Sequence, residues 1–129
     1  MNDDIARLGE SKYLLVTTFR ADGTPKPTPV WVAHDGTDLL VWTVTDSWKV
    51  KRIRRNPAVE VAPCTVRGEP LGASVPGTAR VLDADGSERA RRAVARKYGV
   101  VGRVTVFVSR LRRGRDGTIG IAITPSTTG

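Results

Sequence analysis

Pro25, Pro27 and Pro29 recur at period two, flanking Lys26 and Thr28 and running into Val30-Trp31-Val32. In an extended strand the N–H groups of residues i, i+2 and i+4 point to one side, and proline has none. One long side of this stretch therefore cannot join a regular ladder, while the opposite side can. Two readings are open. Either the segment is a protected sheet edge, or it is an opened seam where the Trp31 N–H and the Thr28 hydroxyl meet a ligand or partner.

Around this segment the chain alternates short strand-like runs with turn chemistry. Tyr13–Phe19 is rich in strand formers, Ala21-Asp22-Gly23-Thr24 reads as a hairpin turn, and a second strand is expected over about 26–33. A turn at His34–Thr37 leads to a strand over 38–44, and Ala58–Cys64, Val75–Leu82 and Thr118–Pro125 supply three more. Asp3 or Asp4 can cap a short helix through Lys12. Asp83–Glu88 reads as a turn running into a helix over 88–98, with Ala90, Ala93, Val94 and Tyr98 on its buried side. Residues 100–113 fit both helical spacing and period two; Leu111-Arg112-Arg113-Gly114 resembles a helix C-terminus and favours helix. The expectation is one mainly-β domain over 1–129 with helical additions: six antiparallel strands in a small barrel or sandwich. An N-terminal helix lies within 1–12, and 126–129 form a loose tail.

The chain has 129 residues, 40% of them hydrophobic, enough for one domain with a real core and marginal for two. No apolar run approaches the length of a bilayer span. The acidic start Met1-Asn2-Asp3-Asp4 lacks the apolar segment of a signal peptide, and a single cysteine, Cys64, suits a reducing compartment. A cytoplasmic location is expected. Lys and Arg number 21 against 13 Asp and Glu, a formal charge of +8, which favours an anionic partner. The sequence contains neither GxxxxGK[ST] nor GxGxxG, and one His with one Cys cannot assemble a His- and Cys-rich zinc site. His34 at a turn reads as exposed and Cys64 as buried packing. No residue stands out as catalytic, so hard chemistry would belong to a bound cofactor.

The basic charge is densest in Lys49-Val50-Lys51-Arg52-Ile53-Arg54-Arg55, where five of seven residues are cationic. Asp46 or Ser47 caps this short helix and Pro57 ends it. Like charges one turn apart repel, and an anion relieves them. The helix start offers unpaired N–H groups and a positive dipole end to a phosphate, with Lys49 near enough to add charge. A solvated basic surface helix is the alternative.

Taken in order, Gly23-x-Pro25, Pro29-Val30-Trp31-Val32, Asp35-Gly36, Trp42-Thr43, Ser47-x-Lys49 and Arg54-Arg55-Asn56-Pro57 resemble the split β-barrel flavin-binding superfamily. It includes the pyridoxamine 5′-phosphate oxidase-like proteins and the reductases that use the deazaflavin coenzyme F420. The resemblance spans roughly Tyr13 to Val81, with the closing Ile-x-Ile-Thr-Pro strand in agreement. It implies that Thr43, Ser47, Trp48 and Lys49 hold cofactor phosphate, and that Thr28, Pro29, Val30 and Trp31 line the ring system. Lys51, Arg54 and Arg55 would suit the phosphodiester and glutamates of F420. Trp48, Pro27 and Val32 stand where the FMN-binding oxidases have basic residues, so the resemblance favours F420, with FMN the alternative cofactor. It also implies a homodimer with sites between subunits and a hydride transfer to a small conjugated or unsaturated substrate. The rivals are a non-catalytic cofactor carrier and, less favoured, a barrel binding single-stranded nucleic acid.

Overall fold

The computed structural model describes residues 7–34, 38–44, 47–113 and 118–126. The strands are β1 (Tyr13–Phe19), β2 (Pro25–Val30), β3 (Ala33–His34), β4 (Leu39–Val44), β5 (Ala58–Cys64), β6 (Val75–Val81) and β7 (Thr118–Pro125). Helix α1 (Trp48–Arg55) follows β4, and helix α2 (Ala84–Arg113) connects β6 to β7. The strands form one antiparallel sheet in the order β2-β1-β5-β6-β7-β4-β3.

The expected strand over 26–33 is two strands, which makes the count seven rather than six. β2 pairs with β1 at one edge of the sheet, and β3 pairs with β4 at the other. Only Trp31 and Val32 lie between them, and three Cα–Cα steps reach at most about 11 Å. The sheet must therefore curl until its two edges nearly meet. The proline strand is the edge that the missing N–H groups require. The register sets Lys26, Thr28 and Val30 opposite Thr18, Val16 and Leu14 on the inner face, while Pro25, Pro27 and Pro29 oppose Phe19, Thr17 and Leu15.

β1 buries every second residue. Leu14 and Val16 meet Leu39, Val41, Val59, Val61, Ile121 and Ile123 inside the curl, joined by Val32 from the crossing and by Val50 and Ile53 from α1. Cys64 is buried and His34 exposed, as expected. The first helix falls mostly outside the described residues; 7–9 are helical. The turn expected over 83–88 is instead the opening of α2. Asp83 Oδ1 accepts from the Gly86 N–H at 2.8 Å and its carbonyl accepts from the Ser87 N–H at 2.8 Å. Ala90 packs with Leu40 and Ala122 on the outer face of the sheet. A Cβ at Gly120 would lie 2.9 Å from Ala90 Cβ and 2.9 Å from Ser87 Cα, so glycine there permits the close approach. Residues 100–113 are helical, and α2 breaks once, at Gly99 (φ 62°, ψ −138°), a conformation that suits glycine.

Candidate functional site

Helix α1 is short and cationic, and its placement depends on a cap and two apolar residues. Ser47 is extended (φ −67°, ψ 151°), and its hydroxyl accepts from the Val50 N–H. At the other end the Asn56 N–H donates to the Arg52 carbonyl at 2.7 Å. Val50 and Ile53 are 1% and 3% exposed and seat the helix on the core. Lys49 shares that buried side, since residues i, i+1 and i+4 fall within one half of a helix.

Lys49 is the unusual member. It is 8% exposed, and its ammonium donates to Thr43 Oγ1 at 2.9 Å. Among the described residues no carboxylate pairs with it. Burial, with a smaller contribution from the Arg52 guanidinium, pulls its pKa below the ordinary lysine value. A buried charge without a counter-charge is costly, and an anion reaching this ammonium would offset the cost. Thr43 and Lys49 thus form a small polar nook between β4 and the first turn of α1.

The opposite side of α1 carries a second feature. Trp48 is 68% exposed, with the Lys51 ammonium 4.7 Å and the Arg52 guanidinium 5.9 Å from the ring centroid. These residues and Arg55 line a groove of about 640 Å³ whose far wall is the β1–β2 turn, Arg20 to Asp22. Arg55 is tied down by donating to the Phe19 carbonyl at 3.1 Å. Among the described residues the groove gathers four cations, Arg20, Lys51, Arg52 and Arg55, against one carboxylate, Asp22.

The expected site residues therefore fall into separate groups. Thr43, Ser47 and Lys49 come together at the helix start; Trp48, Lys51 and Arg55 line the groove; Arg54 is exposed and lines neither. Thr28 and Val30 face inward from β2, Pro29 faces outward near Gly68, and Trp31 stacks on Tyr98 (centroids 4.4 Å, interplanar angle 9°). Sequence reasoning missed Arg20 and Arg52. Arg52 lies one turn from Trp48, a visible i, i+4 signal, whereas Arg20 reaches the groove only through the hairpin.

A family model for pyridoxamine 5′-phosphate oxidase matches residues 3–126. The chain belongs to the pyridoxamine 5′-phosphate oxidase family. Among solved structures it is similar to an F420 reductase (20% identity, TM-score 0.63, covering 98% of this chain and 97% of that one). It also resembles an FAD-binding protein from Mesorhizobium loti (16%, TM-score 0.64, 98% and 90%). The heme storage protein HutZ from Vibrio cholerae is a further neighbour (16%, TM-score 0.67, 98% and 90%). No curated protein matches the sequence. At such identities these likenesses establish the fold alone, in agreement with the family match. Among the described residues, no helix is long and apolar enough to cross a membrane.

Proposed function

We propose that this member of the family is an oxidoreductase that uses the deazaflavin F420, moving a hydride to or from a small conjugated or unsaturated substrate. The observation that carries the reading is Lys49, a buried ammonium with no acidic partner among the described residues, beside a capped helix start. Such an arrangement is disfavoured alone and favoured with a phosphate present. The groove supports F420 in particular, because its cations and Trp48 offer an extended anionic tail more than one contact. FMN has a single phosphate and no such tail. At the positions where the resembled FMN oxidases hold that phosphate with basic residues, this chain has Trp48, Pro27 and Val32.

In this reading Thr43 and Lys49 anchor the phosphate, and Trp48, Lys51, Arg52 and Arg55 with Arg20 hold the tail. Thr28, Pro29, Val30 and Trp31 border the ring. Deazaflavin, when bound, supplies the hydride chemistry. The chain fixes the cofactor's orientation and keeps water from the reacting face. A homodimer with the site completed by the second subunit accompanies this reading.

Parallel equilibrium titration of the purified protein with F420 and with FMN tests it. Saturable F420 binding with much weaker FMN binding is expected. A protein that purifies yellow with flavin, or that binds neither, would overturn it.

A further inference from the structure

The last turn of α2 before Gly99 makes a set of contacts that packing alone does not require. The Lys97 ammonium donates to three carbonyls, those of Gly9, Ser11 and Val32, each at 2.6 Å. The Tyr98 hydroxyl accepts from the Val32 N–H at 3.1 Å and donates to the Lys12 carbonyl at 2.6 Å. Its ring lies flat on Trp31. Trp31 and Val32 are the two residues that carry the chain from one sheet edge to the other, and neither belongs to a strand. Their backbone groups need other partners, and two adjacent side chains of α2 supply them for Val32. The same side chains hold the segment leading into β1, the strand that pairs with β2.

We propose that Lys97 and Tyr98 are positioning residues for the cofactor: together they clamp the Trp31–Val32 crossing and so fix where Thr28–Trp31 present themselves to the ring. The inference rests on the functional reading above. Neither residue need touch the cofactor. The clamp acts through the fraction of molecules in which the edge is correctly placed, and apparent affinity falls in proportion to that fraction.

The three-carbonyl cage also has a chemical signature. An ammonium has three protons for three acceptors, whereas a neutral amine has two protons and a lone pair, so one carbonyl must be released. Burial draws the Lys97 pKa down to about 8, against a smaller opposing pull from Glu10. Among the described residues, the charged and titratable groups around it are Glu10, His34 and Arg96 on the adjoining cavity, the Tyr98 hydroxyl, and Tyr13, which acts on Tyr98. Burial raises the Tyr98 pKa, so its hydroxyl keeps its proton while Lys97 titrates.

The test combines binding and spectroscopy on the full chain. F420 affinity is measured at pH 7 and pH 9 for wild type, Tyr98→Phe and Lys97→Met, with thermal unfolding confirming that each is folded. Tyr98→Phe keeps the ring stack and removes only the hydroxyl, so it serves if Lys97→Met does not fold. A competent fraction reduced to about one tenth weakens binding about tenfold. That is the effect expected for Lys97→Met at pH 7. A smaller loss is expected for Tyr98→Phe, and the wild-type decline toward pH 9 should flatten in Lys97→Met. Separately, replacing Trp42 and Trp48 by Phe leaves Trp31 as the only tryptophan. Its emission should shift when Lys97→Met or Tyr98→Phe is added, with or without cofactor. Emission that shifts while affinity and its pH profile stay at wild-type values would overturn the positioning role. Unchanged emission would overturn the clamp itself. Wild-type protein that binds neither F420 nor FMN would fell the functional reading and the positioning role with it, an outcome distinct from a binding wild type with indifferent variants.

Discussion

Replacing Lys49 by Met should change stability and binding in opposite directions. The methionine keeps an unbranched stem of similar length in the space that Lys49 fills at 8% exposure, so little packing is lost. What disappears is a buried charge whose only hydrogen-bond partner among the described residues is Thr43 Oγ1. Exchanging buried ionic groups for apolar ones of similar volume is neutral or stabilising by about 1–4 kcal/mol. The lower figure is the apt one here, because Lys49 retains one hydrogen bond and Thr43 loses a donor. A gain of about 1 kcal/mol corresponds to a Tm rise of about 4 °C in a domain of this size. The pKa direction agrees. A lysine whose folded pKa is lowered disfavours the folded state below that pKa, and the penalty is relieved as pH rises through the folded and then the unfolded value. The variant should therefore remove an alkaline rise in wild-type stability. F420 affinity should fall, since a charge-assisted phosphate contact contributes about 1.5–3 kcal/mol, about ten- to a hundredfold. Differential scanning fluorimetry and a fluorescence titration measure the two quantities. Unchanged affinity would refute the anchoring role. A lower Tm would refute the argument that Lys49 is a strained charge.

Neutralising the groove should act more gently and depend on salt. Arg20→Gln and Arg52→Gln should each weaken F420 binding by about twofold to fivefold at low ionic strength, with the difference shrinking at high salt. Gly120→Ala should cost about 1–3 kcal/mol in urea unfolding, because the new methyl group meets Ala90 and Ser87 at 2.9 Å and forces α2 off the sheet. Asp38 accepts from Arg80 at 2.9 Å and from Thr124 Oγ1 at 2.6 Å. Burial raises its pKa, but these two hydrogen bonds together with the Arg80 and Arg89 charges outweigh it and leave the value below the ordinary 3.8. Its stabilisation is thus present above pH 3.8 and lost as pH falls through the lower folded value. Asp38→Asn should lower stability near neutrality and make acid unfolding shallower, which pH-dependent denaturation will show.

Local chemistry in the sequence marked much of this architecture. β1 alternates at period two and buries every other residue. The donor-free prolines put β2 at an edge, and Ser47 caps α1 where a serine before a helical stripe should. The resemblance groups Thr43, Ser47, Trp48 and Lys49; Thr43 and Lys49 meet at 2.9 Å, whereas Trp48 lines the groove on the opposite side of α1. Contacts between distant segments were not legible. Nothing in Val30-Trp31-Val32-Ala33 shows that the chain leaves one edge and joins the other, because the break is imposed by the curl of the whole sheet. Tyr98 fitted a generic buried position on a helix, yet its hydroxyl meets Val32 across 66 positions of sequence. Gly86 suggested a turn, whereas Asp83 caps the helix through it; a Cβ there would crowd Leu82 at 2.9 Å, so the glycine also serves packing.

A crystal structure of the protein grown with F420 would show whether Lys49 and Thr43 hold the cofactor phosphate. The cofactor phosphate should lie within hydrogen-bonding distance of Lys49 Nζ and Thr43 Oγ1, with the tail running along Trp48 toward Arg20. Cofactor bound elsewhere, with the Lys49 ammonium still donating only to Thr43, would contradict that placement.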